Sequence, residues 1–425
     1  MTRGTRILGA LALVASASSA AAQSLATRVA AAPEGRVQFS FAARDGVCGD
    51  GRGLIGLGGD SWIGSYTTGD GVMRDRCEPG PVRVVVVRAE SMVIGIETFV
   101  GAPPAPARAL VDLGPVRARD AAEYLLSLAA RLDGRPGRDA ILPAALADST
   151  DPMPALLAIA RDGDRPRETR RSALSWLARA AREPAAARRA AEAMVALARA
   201  GEEHAAVRQH SLSTLARLEH GAGVPALVSL SRQAGDDAWL AREALEALAR
   251  SGDPRARDHL RAVVQRADLP EALLVVAVRG LAREYATARD AALLRGGYAR
   301  LQGERVRQAV LTSLAELGGS ENARWLLDVA RRTDERPPLR RQALHAAVKA
   351  GAPTVELARL YDGADPTLRE QLLPVYAESG ERAAVDRLIA VARNLDDPLR
   401  RRAIQHLGRV DDPRVKALLA ELAVR

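Results

Sequence analysis

Residues 240–254 read LAREALEALARSGDP and residues 399–413 read LRRRAIQHLGRVDDP. Both stretches place apolar residues three to five apart, then stop at a polar turn that ends in Asp-Pro. Apolar positions at this spacing share one face of a helix. Asp followed by Pro is a helix start, Asp as cap and Pro in the first turn.

The same pattern recurs through the C-terminal part of the chain. Anchored on Leu174, Leu212, Leu245, Val278, Leu311, Leu344, Leu373 and Ile404, the repeats are 38, 33, 33, 33, 33, 29 and 31 residues apart. One residue before each anchor stand Ala173, Ser211, Ala244, Ala277, Val310, Ala343, Leu372 and Ala403, mostly small. Five before it the residue is apolar in every copy but the first, Thr169. Gly252, Gly318, Gly351 and Gly380 stand seven after, where a left-handed residue ends a helix. A second amphipathic helix follows, for example Asn322 to Arg331. One such pair cannot bury its own apolar face, so neighbours must stack.

The pattern L-R-x-x-A-L-x-x-L-x-x-x-G-D-P resembles HEAT-like repeats, especially the short lyase-associated type. The two stretches quoted above carry it best and depart from it at Ala241 and Asp411. The resemblance spans roughly 137–425. It implies an α-solenoid over 115–425, with helices near 118–131 and 137–147 as its start, and a protein-binding role, since most such proteins bind proteins.

Four residues before the anchor, Arg170, Arg208, Arg307, Arg340, Arg369 and Arg400 form a column, broken by Ala241 and Leu274. An anion-binding stripe is one reading. The favoured one is structural, each Arg pairing with the acid in the turn before its own helix: Glu304 with Arg307, Asp365 with Arg369, Asp397 with Arg400. At the second break the helix reads Leu273-Leu274-Val275-Val276, apolar nearly all round. Burial is the favoured reading of this strip, and a partner-docking patch is the other.

Upstream the composition changes. Residues 51–100 hold one alanine and ten glycines, whereas 151–200 hold sixteen alanines and one glycine. Val37, Phe39 and Phe41 alternate as in a strand, and the Val84–Val87 run, a short connection at Ala89-Glu90-Ser91 and a second run from Met92 to Val100 predict a hairpin. A small β-rich domain is therefore expected over 33–101, followed by a Pro-rich linker over 102–114. Its Cys48 and Cys77 are the only cysteines in the chain. An even count suits one disulfide in an exported protein.

Residues 1–22 carry Arg3 and Arg6, then a short apolar run from Ile7 to Ala17, then Ala20-Ala21-Ala22. This is the pattern of a secretory signal, too short to span a membrane, and it places the chain in a periplasm or outside the cell. Net charge is +9, carried by Arg because lysine occurs only at Lys349 and Lys416. The charges are interspersed with acids, which describes a solvated helical surface and argues against nucleic acid.

No catalytic or cofactor pattern matches in context. Gly51-Arg52-Gly53-Leu54-Ile55-Gly56 has dinucleotide-loop spacing, but the residues after it do not open a helix. Gly59-Asp60-Ser61 lacks the D-x-x-H partner of hydrolases with that triplet. The six histidines have no metal-ligand spacing, and Asp45, Asp50, Asp60, Asp70 and Asp75 fit no calcium loop. The expected function is an exported, non-enzymatic scaffold or adaptor without cofactor, binding protein partners through its helical surface. Two alternatives stand beside it: an enzyme with a site in the β-domain or at its junction with the solenoid, and a polyanion-binding protein using its Arg-rich faces.

Overall fold

The computed structural model describes residues 23–58, 62–64, 77–101, 110–233, 237–266 and 268–424. The expected signal segment 1–22, Gly59-Asp60-Ser61, and Asp70 and Asp75 lie outside the described residues. The chain forms two compact units, Met1–Ala180 and Ala181–Arg425.

The first unit runs α1 (Leu25–Ala31), β1 (Gly35–Phe41), β2 (Cys48–Gly49), β3 (Ile55–Gly56), β4 (Trp62–Ile63), β5 (Glu78–Pro79), β6 (Val82–Ala89), β7 (Met92–Val100) and β8 (Leu110–Pro115). Helices α2 (Ala118–Arg131), α3 (Gly134–Asp139), α4 (Ile141–Ala145), α5 (Met153–Arg161) and α6 (Arg167–Ala180) follow. One sheet has the order β7-β6-β1-β8, the other β4-β3-β2-β5. The predicted hairpin is β6–β7. Ala89 faces Met92, and the two residues between them, Glu90 and Ser91, both have positive φ (50° and 62°). A two-residue loop with both residues left-handed matches the twist of antiparallel strands.

Val37, Phe39 and Phe41 are buried as their alternation requires. Phe39 packs edge-on against Tyr124 of α2, ring centres 6.2 Å apart. The sheet therefore shares its core with α2, and the compact unit that holds it runs on past 101 to Ala180. The linker expectation is also corrected at its end: Leu110–Pro115 is a strand, parallel to β1, with Val111 opposite Val37. The helix expected over 137–147 is broken into α3 and α4. Pro143 has no N–H to give to the carbonyl of Asp139, so the helix cannot run through.

The second unit alternates α7 (Pro184–Arg199), α8 (Ala205–Leu215), α9 (Val224–Arg232), α10 (Ala238–Ala249), α11 (Pro254–Gln265), α12 (Glu271–Leu281), α13 (Ala288–Gly297) and α14 (Glu304–Leu317). It continues with α15 (Ser320–Arg331), α16 (Pro337–Lys349), α17 (Thr354–Gly363), α18 (Pro366–Ser379), α19 (Arg382–Arg393), α20 (Arg400–Leu407) and α21 (Pro413–Val424). Even-numbered helices from α8 to α20 pack side by side, each on the next. This is the layered stack of a helical repeat. The anchors are buried except Ile404, which is half-buried, and the small residues before them are all buried. Gly318, Gly351 and Gly380 carry positive φ at helix ends. Gly252 does not, and instead lies under the ring of Tyr285, where an added Cβ would come within 3.2 Å of Cζ.

Candidate binding groove

The Arg column has one recurring geometry. In each member Nε donates to a carbonyl at or just past the end of the preceding helix. The acceptors are Ala160 for Arg170 (3.0 Å), Ala198 for Arg208 (2.8 Å), Leu301 for Arg307 (2.7 Å), Ala330 for Arg340 (2.9 Å), Tyr361 for Arg369 (3.1 Å) and Ala392 for Arg400 (3.1 Å). Carbonyls in the last turn of a helix lack intrahelical donors and carry its negative dipole end, so a guanidinium there satisfies both.

The acidic partners differ from the expectation. Arg208 pairs with Asp237 (2.7 Å), Arg307 with Glu335 (3.1 Å) and Arg340 with Asp365. Each of these acids belongs to the next repeat. Asp365, read from sequence as the partner of Arg369, caps α18 through the N–H groups of Thr367 and Leu368 and bonds Arg340. Asp397 accepts from the Tyr361 hydroxyl, and Glu304 pairs with Arg336. The reason is reach. Nε is committed to the carbonyl behind its own helix, which turns the outer nitrogens of Arg208, Arg307 and Arg340 toward the neighbouring repeat. The Arg340 bond comes first in holding Asp365 below the usual carboxylate range; the Leu368 and Thr367 N–H groups also lower it, against burial. Aromatic rings back several members, with Arg208 4.4 Å from the centre of Trp239 and Arg307 5.2 Å from that of Tyr298. Arg208, Arg307, Arg340 and Arg369 each hold both a carbonyl and a second partner. Arg208, Arg307 and Arg340 tie one repeat to the next, and every Nε of the column is occupied by a carbonyl of the protein.

Where the column lapses, at Ala241 and Leu274, the tie comes from the other layer. Arg257 donates from Nη2 to the carbonyl of Leu281 (2.7 Å) and from Nε to Asp290 (3.0 Å), which also accepts from Arg261 (2.8 Å). Asp290 is fully buried and completes a capping box with Thr287. Burial opposes its charge, but the bonds from Arg261, Thr287 and Arg257 outweigh it and lower its pKa to about 2. Sequence reasoning missed this cluster, because Arg257 and Arg261 lie outside the repeated column.

The apolar strip is interior. Leu273, Leu274 and Val276 are buried and Val275 is half-buried. Gly280 explains the tightness: a Cβ there would lie 2.7 Å from Cβ of Ala249 on α10.

Over this helix lies a groove of about 540 Å³, reaching from α10 across α12 and α14 to α16. Its apolar lining is Ala272, Val275, Val276 and Ala309. Arg242, Arg279, Arg305, Gln308 and Gln342 are among its polar lining. Arg242 bonds Glu243, and Gln342 donates to the carbonyl of Gln308 and to Thr312. The Glu271 carboxylate accepts the N–H of Val306, and Glu246 pairs with Arg283 (3.3 Å).

The other motifs fall to structural roles. Cys48 and Cys77 are joined, Cα atoms 5.2 Å apart. Asp50 Oδ1 accepts the N–H groups of Arg52, Gly53 and Leu54, closing the glycine loop into a turn. Gly56 sits in β3 against the disulfide, not at a helix start. Ser231 Oγ lies 2.8 Å from Nε2 of His259 and 2.9 Å from the carbonyl of Val228, and the direction of its bond to the imidazole is set by the histidine tautomer. Among the described residues no three His, Cys, Asp or Glu side chains gather as a metal site, and no helix is long and apolar enough to cross a membrane.

No protein-family model matches the chain, and no curated protein matches it in sequence. Among solved structures it is similar to human deoxyhypusine hydroxylase in complex with glycerol, at 18% identity over 56% of this chain and 96% of that one, with a TM-score of 0.27. It is also similar to lipovitellin, at 12% identity over 79% of this chain and 40% of that one, with a TM-score of 0.44.

Proposed function

We propose that this chain is an exported, non-enzymatic, HEAT-like scaffold that binds protein partners along the even-numbered helices of its second unit. The observation that carries the reading is the groove over α12. It spans the four alternate helices α10, α12, α14 and α16 and mixes an apolar floor with polar walls, a lining suited to a protein partner. The column arginines, already bonded to carbonyls and acids, are poor candidates for a polyanion stripe. Export is supported by the Arg3–Ala22 pattern and by the Cys48–Cys77 bond, which suits an oxidising compartment.

The test is site-specific photocrosslinking in the native cell envelope. Probes at Gln308 and Gln342 in the groove should capture a discrete partner, while probes at Arg289 and Arg324, exposed on α13 and α15, should not. Capture from the outer helices alone would sink the groove reading. Recovery of the intact chain, residues 1–22 included, in the cytosol would sink export.

A further inference from the structure

We infer that the groove over α12 is a site for an acidic peptide segment in which a carboxylate neighbours an apolar side chain. The inference rests on the proposed partner-binding role and narrows it to one chemistry.

The groove exists because one repeat departs from the others. Three residues before each anchor stand Arg171, Gln209, Arg242, Val275, Gln308, Arg341, Glu370 and Arg401. Seven are long and polar, and Val275 is the exception. Its short side chain leaves open the volume a long one would fill, and with Ala272 and Ala309 it forms an apolar floor.

The charges around that floor are not balanced. Glu246 is held by Arg283 and Arg250, and Glu271 by the backbone of Val306. Arg242 is held by Glu243. Arg279 and Arg305 line the same groove, are exposed, and have no ion pair or side-chain hydrogen bond among the described residues. Two exposed guanidinium groups that flank one apolar floor within the same groove point to an anion from outside. Guanidinium favours carboxylate, since it offers parallel N–H donors in a fixed fork. The volume is within the range of sites that hold a few residues of a ligand.

The probe is a fluorescein-labelled decapeptide carrying one leucine flanked by glutamates in a Gly/Ser background, compared with its glutamine counterpart by fluorescence polarisation. The glutamate peptide should bind about tenfold more tightly than the glutamine one. The double substitution Arg279→Ala with Arg305→Ala should abolish that preference, and Val275→Arg, which restores the repeat's own pattern, should block both peptides. Arg341→Ala removes an equally exposed arginine of the same column that does not line the groove, and should change binding less than twofold. Unchanged helical melting of each variant shows that the fold is intact. Equal affinity for the two peptides overturns the inference, as does an equal loss with Arg341→Ala, which would mean diffuse attraction to positive charge. If groove probes capture a partner while the peptides are not distinguished, the acidic-segment inference fails and the scaffold reading stands. If the peptides are distinguished but no partner crosslinks at the groove, the scaffold reading fails alone.

Discussion

Arg340 and Asp365 stand 25 residues apart in sequence and join two successive repeats, the guanidinium reaching one carboxylate from both outer nitrogens while its Nε holds the carbonyl of Ala330. Arg340 is 4% exposed. Removing it strands a capping carboxylate and a buried carbonyl at once.

Arg340→Ala should therefore cost about 3 kcal/mol in chemical denaturation, in the range for breaking a buried pair. Arg369→Ala, at a half-buried position where the partners are two carbonyls and the ring of Tyr361, should cost about 1 kcal/mol. Arg340→Lys should not rescue, because a point charge cannot serve both acceptors. Equal costs at the two positions would refute the inter-repeat account.

Asp290 makes stability depend on acid. Its folded pKa, about 2, lies below its ordinary 3.8. A depressed carboxyl stabilises the fold above its unfolded pKa, and that contribution fades as pH falls from about 4 through about 2. The gap corresponds to about 2 kcal/mol. The melting difference between wild type and Asp290→Asn should be large at pH 6 and nearly gone at pH 2. A difference that persists at pH 2 would mean the carboxylate's charge is not what matters.

Leu274→Arg restores the column pattern in sequence but inserts a cation into a position that is 4% exposed. It should destabilise the second unit by more than about 3 kcal/mol, since a buried unpaired charge has no cheap accommodation. Leu274→Ala should cost about 2–5 kcal/mol through the cavity it leaves. Wild-type stability for the Arg variant would mean the helix turns its strip outward.

Peptide mapping without reductant should recover Cys48 linked to Cys77. Replacing both by Ala should cost about 3–4 kcal/mol by chain-entropy reasoning. Because the sheet shares its core with α2 through Phe39 and Tyr124, the loss of hydrogen-exchange protection should extend into Ala118–Arg131. Protection lost only between 33 and 101 would restore the picture of a separate β-domain.

Sequence made the stack legible because repetition lets eight copies vote on each position. All the anchors but Ile404, and the small residues before them, are buried as their spacing requires. The same repetition hid the pairing: Asp365 precedes Arg369 by four residues and also follows Arg340 by 25, close to the 28 and 29 that separate Arg307 from Glu335 and Arg208 from Asp237, so one acid suits two partners. Strand β8 was hidden for a different reason. A parallel neighbour of β1 needs no turn beside it, and Leu110-Val111-Asp112 follows a proline cluster that reads as linker. The groove announces itself only as a missing side chain at Val275, visible once the helices are known to lie side by side. Arg257 and Arg261 belong to no column, so nothing periodic marks them.

The tie from one repeat to the next has translational symmetry, like a lattice row. Glu335 meets Arg307 as Asp365 meets Arg340. Excising residues 308–340 would bring Asp365 to face Arg307, and the row itself would close over the vacancy, while Glu304 would lose Arg336. Such an array can lengthen or shorten by whole repeats without redesign. The row is interrupted through Ala241 and Leu274, and again at Arg369, which bonds the carbonyls of Tyr361 and Asp362, so a copy there cannot be dropped or duplicated in register.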